Sequence, residues 1–371
     1  MKILQLGKFY PIFGGIEKVE WDLTKGLSEK GIDCDMLCAG LKAETTVPQT
    51  IRFNDHGRVI VVPAFRKAAG TMLSFAMPRY LRKYSSEYDI IQVHHPDPMA
   101  ALSLWLSGYK GKVILHWHSD IIKQKKLLKF YMPLQNWLIK RADIIVGTSP
   151  VYVQQSPYLA KVQDKITAIP IGVDPVEVDA EAAEKVQASY PGKKIVFSLG
   201  RLVPYKGYTY LIKAASMLPD DYHVVIGGNG PLMGELEKQI IDSDLKDKVS
   251  LLGRVPDDTL AGLYGAARLF VLPSVQKTEA FGIVLIEAMS CGLPIVATKI
   301  PESGTSWVNA DGESGLNVPI EDAEALADAI KDICENEDKH IAFSIGSAKR
   351  YAEVFTKSKM IDNFARLYEK I

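Results

Sequence analysis

Glu279 and Glu287 bracket the segment of this sequence whose residue types and spacing most clearly suggest chemistry. Between them, Phe281 and Gly282 come directly before an apolar run that predicts a helix. The first turn of a helix presents unpaired backbone N–H groups and a positive dipole end, which suits a diphosphate. Glu287, farther along the helix, is suited to accept hydrogen bonds from ribose hydroxyls. The segment therefore predicts a nucleotide site, with two solvated surface glutamates as the alternative.

Two cations occupy a similar place earlier in the chain. Arg201 comes directly after a predicted strand that ends at Gly200, and Lys206 comes just before Gly207 at the start of a predicted helix. An arginine fork and a lysine point charge can stabilise the negative charge that develops on a departing nucleoside diphosphate. We predict an anion site here, and the alternative is a pair of solvated surface charges.

Two further strands end in residues that could face the same ligand. Gly228 and Gly230 follow the next predicted strand, and Arg254 and Val255 follow the strand after it. Glycine at these positions permits a close approach of backbone to a ligand. The carboxyl ends of parallel strands meet at one edge of a sheet, so we expect all these residues to lie near one site.

The first half of the chain offers a histidine as its main candidate. His118 ends a predicted strand, and Asp120 follows two residues later. A metal cluster has to be considered, because His116 shares the strand face and His94 and His95 end the neighbouring strand. A structural histidine is the other alternative at this position.

These residues need strands and helices to hold them. Short β-rich runs alternate with helical patterns, which predicts parallel sheets in an α/β fold. The runs lie at 2–6, 89–93, 112–118, 143–147, 194–200, 223–228, 248–253, 268–273 and 293–298. A chain of 371 residues exceeds the size at which one core usually keeps growing, so two domains are expected, joined near 175–190. In the first half, Gly14 and Gly15 precede a helix and form a further, weaker anion site.

Composition narrows the class of protein. Apolar residues make up 47% and charged residues 24%, which is typical of a globular protein. Net charge is zero, but residues 1–175 carry +8 and the remainder carries −8, so the first half is expected to face a membrane surface or a phosphate. The four cysteines lack C-x-x-C spacing, and no apolar run is long enough to span a bilayer. We expect a cytoplasmic protein with no nucleic acid partner.

Taken together, five motifs resemble those of the retaining family 4 glycosyltransferases, and the resemblance covers nearly the whole chain. The motifs are GG at 14–15, HSD at 118–120, GRLVPYKG at 200–207, GNGP at 228–231 and E-A-F-G-x4-E at 279–287. The resemblance implies the GT-B fold, in which two Rossmann-like, doubly wound parallel-sheet domains face each other across a cleft. It implies an acceptor domain at 1–175, a nucleotide-sugar domain at 190–345, and C-terminal helices at 346–371 that cross back to the first domain.

The resemblance also implies roles for individual residues. It places the catalytic residues at His118, Asp120, Arg201, Lys206 and Glu279. It places donor binding at Gly14, Gly15, Gly200, Gly228, Gly230, Arg254, Val255, Phe281, Gly282, Ile283, Val284 and Glu287. His118 would line the sugar pocket as a positioning group. Since arginine, lysine and helix dipoles supply the positive charge, we expect no metal and no cofactor. The acceptor would attack from the leaving-group side.

Two segments suggest where the acceptor is met. Lysines and arginines are mixed with large apolar side chains at 65–84 and at 121–141. This mixture is typical of proteins that bind the surface of an anionic membrane. Ordinary crossover helices with solvated lysines are the alternative. The sequence is similar in style to bacterial O-antigen and capsule mannosyltransferases. We therefore expect transfer of mannose from GDP-mannose to a polyprenyl-diphosphate-linked glycan at the inner face of the cell membrane.

Three other functions remain open at this point. The first is a transferase that uses a UDP-sugar, with a lipid-linked or a small soluble acceptor. The second is a nucleotide-sugar epimerase of the same fold, against which the pairing of Arg201 and Lys206 with the two glutamates argues. The third is a nucleotide-sugar sensor or scaffold without catalysis.

Overall fold

The computed structural model describes residues 1–12, 15–41, 47–122 and 125–371, and the chain divides into two compact units. Unit 1 comprises Met1–Ile171 together with Lys357–Ile371, and unit 2 comprises Gly172–Thr356. Each unit has its own largely parallel sheet with helices in the connections. The predicted α/β class with two parallel sheets is confirmed.

Unit 1 contains an eight-stranded sheet and a small hairpin. Its strands are β1 (Lys2–Tyr10), β2 (Asp33–Leu41), β3 (Gln49–Asn54), β4 (Gly57–Ala64), β5 (Arg66–Ala68), β6 (Thr71–Leu73), β7 (Ile90–His95), β8 (Lys112–Trp117), β9 (Ile144–Gly147) and β10 (Ile166–Ala168). The sheet order is β10-β9-β8-β7-β1-β2-β4-β3, and among the described strands of this sheet only the β3–β4 pair is antiparallel. β5 and β6 form the hairpin. β1, β7 and β8 are adjacent, so their carboxyl ends share one edge.

Helices connect these strands. In chain order they are α1 (Ile16–Glu29), α2 (Ala76–Tyr84), α3 (Pro98–Ser107), α4 (Lys125–Arg141) and α5 (Pro150–Gln154). The start of α3 shows why they begin where they do. Asp97 accepts hydrogen bonds from the backbone N–H groups of Met99 and Ala100, and Pro98 occupies the first turn, where its missing N–H costs nothing.

Unit 2 repeats the pattern with six parallel strands. These are β11 (Lys194–Leu199), β12 (Tyr222–Gly227), β13 (Val249–Leu251), β14 (Leu269–Leu272), β15 (Ile295–Thr298) and β16 (Gly315–Val318), in the order β13-β12-β11-β14-β15-β16. The helices are α6 (Ala180–Ser189), α7 (Tyr208–Ala215), α8 (Met233–Asp242), α9 (Asp257–Ala266), α10 (Ile283–Ser290), α11 (Thr305–Val308), α12 (Ala323–Glu335) and α13 (Glu337–Arg350). The strands are apolar and buried, as expected for a sheet covered on both faces.

The segment at 175–190, predicted as a linker, belongs to unit 2. It contains α6, which packs against α9. A Cβ built on Gly262 would lie only 2.7 Å from the carbonyl oxygen of Ala182, so the two helices approach backbone to backbone. This close packing needs small residues rather than large apolar ones, which is why the sequence here resembled a linker.

The chain returns to unit 1 later than predicted, at residue 357 rather than 346. Phe355 is fully buried in unit 2, with its ring near those of Phe281 and Trp307, at centroid distances of 5.9 and 5.7 Å. The last helix, α14 (Lys357–Glu369), packs on α1, where a Cβ on Gly26 would lie 2.1 Å from Ile361 Cδ1. The packing of Phe355 therefore keeps the chain in unit 2 almost up to the start of α14.

Candidate active site

In unit 2, two residues that the sequence singled out separately form one buried ion pair. Lys206 lies in the turn after β11, and Glu279 lies in the loop after β14, the neighbouring strand. Lys206 Nζ is 2.6 Å from Glu279 Oε2, and the two side chains are only 9% and 11% exposed. Ser274 Oγ donates to the same carboxylate oxygen at 3.0 Å. The carboxylate is thus fixed by a cation and a hydroxyl.

A glycine brings the two loops together. Gly207 adopts the left-handed conformation, with φ +68°, and a Cβ there would lie 2.0 Å from the carbonyl oxygen of Pro273. The turn that carries Lys206 therefore rests directly against the end of β14. On the other loop, Ser303 Oγ donates to the backbone carbonyl of Glu279. Backbone packing therefore helps to place the two side chains beside each other.

Arg201 differs from Lys206 in its surroundings. It follows β11 directly, and its side chain is exposed. Its Nη2 lies 3.5 Å from the hydroxyl of Tyr205, a weak contact. The guanidinium is therefore accessible from solvent, whereas the Lys206 side chain is only 9% exposed and is paired with Glu279.

Gly228 and Gly230 were expected to admit a ligand, but the space beside them is filled by the chain itself. A Cβ on Gly228 would lie 1.9 Å from the carbonyl oxygen of Gly200, and one on Gly230 would lie 2.3 Å from that of Leu202. These glycines therefore let two loops of unit 2 pack together, and they hold the loop that carries Arg201.

The remaining donor-binding candidates of unit 2 lie in nearby loops and in α10. Arg254 and Val255 follow β13, the first exposed and the second half-buried. Gly282, with φ +81°, caps α10, and Ile283 and Val284 form its first turn. Phe281 is buried against Phe355, as described above.

Glu287 has a partner that the sequence did not suggest. The hydroxyl of Tyr264, on α9, donates to Glu287 Oε2 at 3.1 Å. Burial, and then the charge of Glu287, raise the pKa of Tyr264 well above its usual range, so this hydroxyl stays protonated. Tyr264 is thus a fixed donor that orients the carboxylate. Only the tertiary fold brings the two residues together.

In unit 1, His118 comes directly after β8 and is buried in a stack of imidazoles. Its Nε2 lies 3.0 Å from His94 Nδ1, and His94 Nε2 lies 2.9 Å from Gln5 Oε1. Burial first, and then neighbouring positive groups, hold the pKa values of His94 and His118 well below their usual range. Both rings are therefore neutral at physiological pH. The sequence analysis did not select Gln5, although a single glutamine in an apolar strand indicates a buried polar contact.

Three of these histidines are close enough together to be considered as metal ligands. One nitrogen each of His94, His116 and His118 lies within 4.8 Å of the others, a spacing that could hold a metal ion. Both nitrogens of His94 face hydrogen-bond partners instead. The positive charge of Lys8 also contributes to the low pKa of His94 and of His118, after the larger effect of burial, and would repel a divalent cation. The rings of His94 and His118 are hydrogen-bonded to each other, and the expectation that no metal binds here stays a prediction.

His95, considered for the same cluster, lies elsewhere. Its ring stacks on Trp117 at a centroid distance of 3.7 Å, and its nitrogens face the Ser119 carbonyl and Gln135 Oε1. Asp120 is buried as well: its Oδ1 accepts hydrogen bonds from Trp117 Nε1 at 2.9 Å and from Ser156 Oγ at 2.8 Å. These contacts hold the loop that follows β8.

The start of α1 carries the glycine candidates of unit 1. Gly15 is exposed and caps α1 with φ +63°, whereas Gly14 lies outside the described residues.

Two charged residues near this helix are buried. Lys8, at the end of β1, donates from Nζ to the Pro96 carbonyl. Glu20, on α1, is fully buried, and neither carboxylate oxygen has a hydrogen-bond partner among the described residues. Burial raises the pKa of Glu20 well above its usual range.

The two segments expected at a membrane differ in structure. In α2, Met77 and Leu81 are buried, so its apolar face belongs to the core. In α4, Phe130 is 85% exposed and Leu127 is 56% exposed. Among the described residues, no helix is both long and apolar enough to cross a bilayer. In the first segment, Phe65 and Phe75 are 52% and 67% exposed, so both segments present large apolar side chains to solvent.

Comparison with known proteins decides the family. Residues 13–177 match the model of Glycosyltransferase Family 4, and residues 179–350 match that of Glycosyl transferases group 1. The chain is also similar to O-antigen chain mannosyltransferase C of Escherichia coli, with 33% identity over 99% of this chain and 98% of that one. This chain belongs to the family 4 glycosyltransferases.

Two further matches support the fold and the class. This glycosyltransferase is 31% identical to D-rhamnosyltransferase WbpZ of Pseudomonas aeruginosa, over 96% of this chain and 92% of that one. Its fold is similar to that of Anabaena Alr3699/HepE in complex with UDP, with a TM-score of 0.78, 20% identity and full coverage of both chains. The predicted family and the GT-B fold are confirmed.

Proposed function

We propose that this glycosyltransferase moves mannose from GDP-mannose to a lipid-linked glycan during the synthesis of a bacterial surface polysaccharide. The observation that supports the sugar and the pathway is the full-length similarity to an O-antigen chain mannosyltransferase. The similarity to a D-rhamnosyltransferase is almost as strong, so the donor is the first property to test. In the proposal, unit 2 binds the nucleotide sugar and unit 1 binds the acceptor.

The ion pair of unit 2 supports a preorganised donor site. Glu279 is held by Lys206 and Ser274, so its carboxylate is oriented before a sugar hydroxyl donates to it. Lys206 and the exposed Arg201 both follow β11 and would neutralise the diphosphate as it departs. Glu287, oriented by Tyr264, would accept from the ribose hydroxyls.

We infer a displacement with retention and without metal. The acceptor hydroxyl oxygen forms a bond to the anomeric carbon, on the side from which the diphosphate leaves. The bond from that carbon to the phosphate oxygen breaks, and its electron pair stays on the diphosphate. The hydroxyl proton passes to the same phosphate oxygen. His118, whose pKa is held low by burial, is neutral and weakly basic, which suits a hydrogen-bonding group rather than a general base.

A donor panel tests the proposal. Wild type is heated with GDP-mannose, UDP-glucose, UDP-GlcNAc or UDP-galactose in the presence of EDTA, and slow release of the nucleoside diphosphate is measured. We expect GDP-mannose to raise the melting temperature most, because a ligand that binds only the folded state stabilises it by mass action. Release should fall in Glu279→Ala and should persist in Asp332→Ala, which breaks an exposed pair with Lys339.

Other outcomes of the panel would change the proposal in defined ways. If only a UDP-sugar raises the melting temperature, that sugar replaces GDP-mannose as the proposed donor. Conversion of the donor to an epimer without an acceptor would replace transfer by epimerisation. Activity that is lost with EDTA and restored by a divalent cation would contradict the metal-free mechanism. Absence of binding by any donor would contradict the assignment of Arg201, Lys206 and Glu279.

Contact with an anionic membrane is proposed for the first turns of α4. Phe130 and Leu127 are exposed there beside the exposed Lys126 and Lys129. Apolar burial contributes roughly 25 cal/mol per Å², and each basic residue near an anionic surface contributes about 1 kcal/mol. We expect binding to vesicles of phosphatidylglycerol that weakens with salt.

A matched pair of variants tests this surface. Phe130→Ser should reduce co-sedimentation with anionic vesicles. Ile345→Ser, at a residue that is 64% exposed in the acidic half of the chain, should leave it unchanged. Equal binding by wild type and Phe130→Ser, or binding that does not depend on anionic lipid, would leave α4 as an ordinary crossover helix.

A further inference from the structure

A buried hydrogen-bond chain joins the last helix to His118 within unit 1. The Tyr368 hydroxyl, on α14, donates to Gln92 Oε1 at 2.8 Å and accepts from Gln5 Nε2 at 3.1 Å. Gln5 Oε1 faces His94 Nε2, and His94 Nδ1 faces His118 Nε2, at the distances given above. All five side chains are buried, so water does not compete for these bonds.

The direction of these hydrogen bonds follows from the Tyr368 hydroxyl and the neutral imidazole of His94, each of which has one proton to donate. A tyrosine hydroxyl that donates to Gln92 can only accept from Gln5, so Gln5 presents its amide nitrogen to Tyr368 and its oxygen to His94. His94 Nε2 then carries the proton, and His94 Nδ1 accepts. It follows that His118 carries its proton on Nε2. Gln5 Nε2 also lies 3.7 Å from Cys34 Sγ, a second acceptor that agrees with this orientation.

The hydrogen-bond chain ends at a nitrogen of His118 that has no partner among the described residues. His118 Nδ1 is buried and has no hydrogen-bond partner among the described residues. With the proton on Nε2, this nitrogen carries a lone pair. A buried acceptor without a donor is unfavourable, and native proteins rarely keep one without a use.

We propose that Tyr368 is a positioning residue that fixes His118 as the Nε2-protonated tautomer and keeps Nδ1 as a hydrogen-bond acceptor. The group that donates to Nδ1, and here the inference rests on the proposed function, is a sugar hydroxyl. Phe364 of α14 supports the same stack, with its ring 5.1 Å from that of His116. The last helix thus acts on the candidate sugar pocket without touching it.

Histidine nitrogen NMR tests the tautomer directly. In protein labelled with ¹⁵N-histidine at pH 7, His118, assigned through its loss in His118→Asn, should show a protonated Nε2 and an unprotonated Nδ1. Tyr368→Phe removes only the hydroxyl, so both tautomers should appear. If His118 binds the sugar as proposed, kcat should fall by about fivefold, the ratio that corresponds to the loss of one net hydrogen bond, with little change in the KM of the donor.

A second variant predicts the opposite proton arrangement. Gln92→Met removes the acceptor of the Tyr368 hydroxyl, which is then free to donate to Gln5. The Gln5 amide should turn, and the proton of His118 should move to Nδ1. Tyr351→Phe is the control, since its hydroxyl donates to the Val173 carbonyl in unit 2, and the His118 signals should not change.

The NMR result decides the proposal separately from activity. A wild-type His118 protonated on Nδ1, or His118 signals that are the same in wild type and Gln92→Met, would overturn the role of Tyr368. If Tyr368→Phe gives no folded spectrum, the Gln92→Met spectrum decides. A wild type that transfers no sugar would contradict the proposed function, and the tautomer measurement would still stand.

Discussion

The two units hold their candidate site residues by opposite electrostatic means. In unit 2, Lys206 and Glu279 are both buried and form an ion pair. In unit 1, His118 and His94 are buried and neutral, because burial keeps their pKa values low. An ion pair suits the diphosphate that we propose for unit 2. Neutral rings with defined donors and acceptors suit the neutral sugar that we propose for unit 1.

The largest expected effect comes from breaking the buried pair. Lys206→Ala leaves Glu279 buried without its cation, so it should cost about 3–5 kcal/mol in the free energy of unfolding. It should also lower kcat/KM by about 10²–10³, as the loss of a preorganised charge at a leaving group does. Urea unfolding and donor turnover measure the two effects.

The double variant Lys206→Ala/Glu279→Ala separates them. It removes both charges and should recover much of the stability but none of the activity. Lys339→Ala, which breaks the exposed pair with Asp332, is the control and should change stability by less than about 1 kcal/mol. A double variant as unstable as the single one would show that the pair is not what stabilises this loop.

Arg201→Ala should affect activity alone. Its guanidinium is exposed and makes only a weak contact, so the free energy of unfolding should change by no more than about 0.5 kcal/mol. Turnover should fall by about 10², and Arg201→Lys should restore part of it, because the charge returns without the planar fork. Unchanged turnover in Arg201→Ala would remove this residue from the donor site.

The neutral histidines of unit 1 predict a loss of stability in acid. Burial lowers the pKa of His95 and of His116 to about 3, against about 6.5 in an unfolded chain. Below pH 6.5 the unfolded chain binds more protons than the folded one, so the free energy of unfolding falls as pH falls. Each histidine contributes about 1.4 kcal/mol per pH unit between those values.

Tryptophan fluorescence during urea unfolding from pH 7 to pH 4 measures this slope. Four of the five tryptophans lie in unit 1, so the signal reports mainly on that unit. His116→Asn should reduce the change of unfolding free energy with pH by about 1.4 kcal/mol per pH unit, which corresponds to one proton. A stability of unit 1 that does not change over this range would mean that the histidines are charged in the folded protein.

Glu20 is expected to change stability with pH in the opposite direction to the histidines. The pKa of Glu20 is raised by burial, so whatever stability this carboxyl gives is present below pH 4.5 and is lost as pH rises. Glu20→Gln should therefore stabilise the protein at pH 8 and should have little effect at pH 4. Glu29→Gln, an exposed site on the same helix, should change little at either pH. Destabilisation by Glu20→Gln at pH 8 would show that the carboxylate has a partner outside the described residues.

Local sequence was enough to select several residues of the candidate site. Arg201 and Lys206 were identified because they follow a strand, and the E-A-F-G-x4-E motif identified Glu279 and Glu287. Their pairing was not predictable. It depends on Gly207 resting against the Pro273 carbonyl, and no local pattern shows which backbone a glycine will meet. The same limit applies to Gly228, whose close approach to the Gly200 carbonyl no local pattern shows, and its contact with a ligand stays a prediction.

The sequence by itself determined the α/β class, two parallel sheets and the cations at the end of β11. These follow from the alternation of apolar runs and from residue types at strand ends, which are local properties. Only the tertiary structure decided the partners of His118. Gln5 and Tyr368 are 363 positions apart, and they meet because α14 packs back onto the first unit. A hydrogen bond depends on distance and direction in space, so no spacing in the sequence could have indicated it.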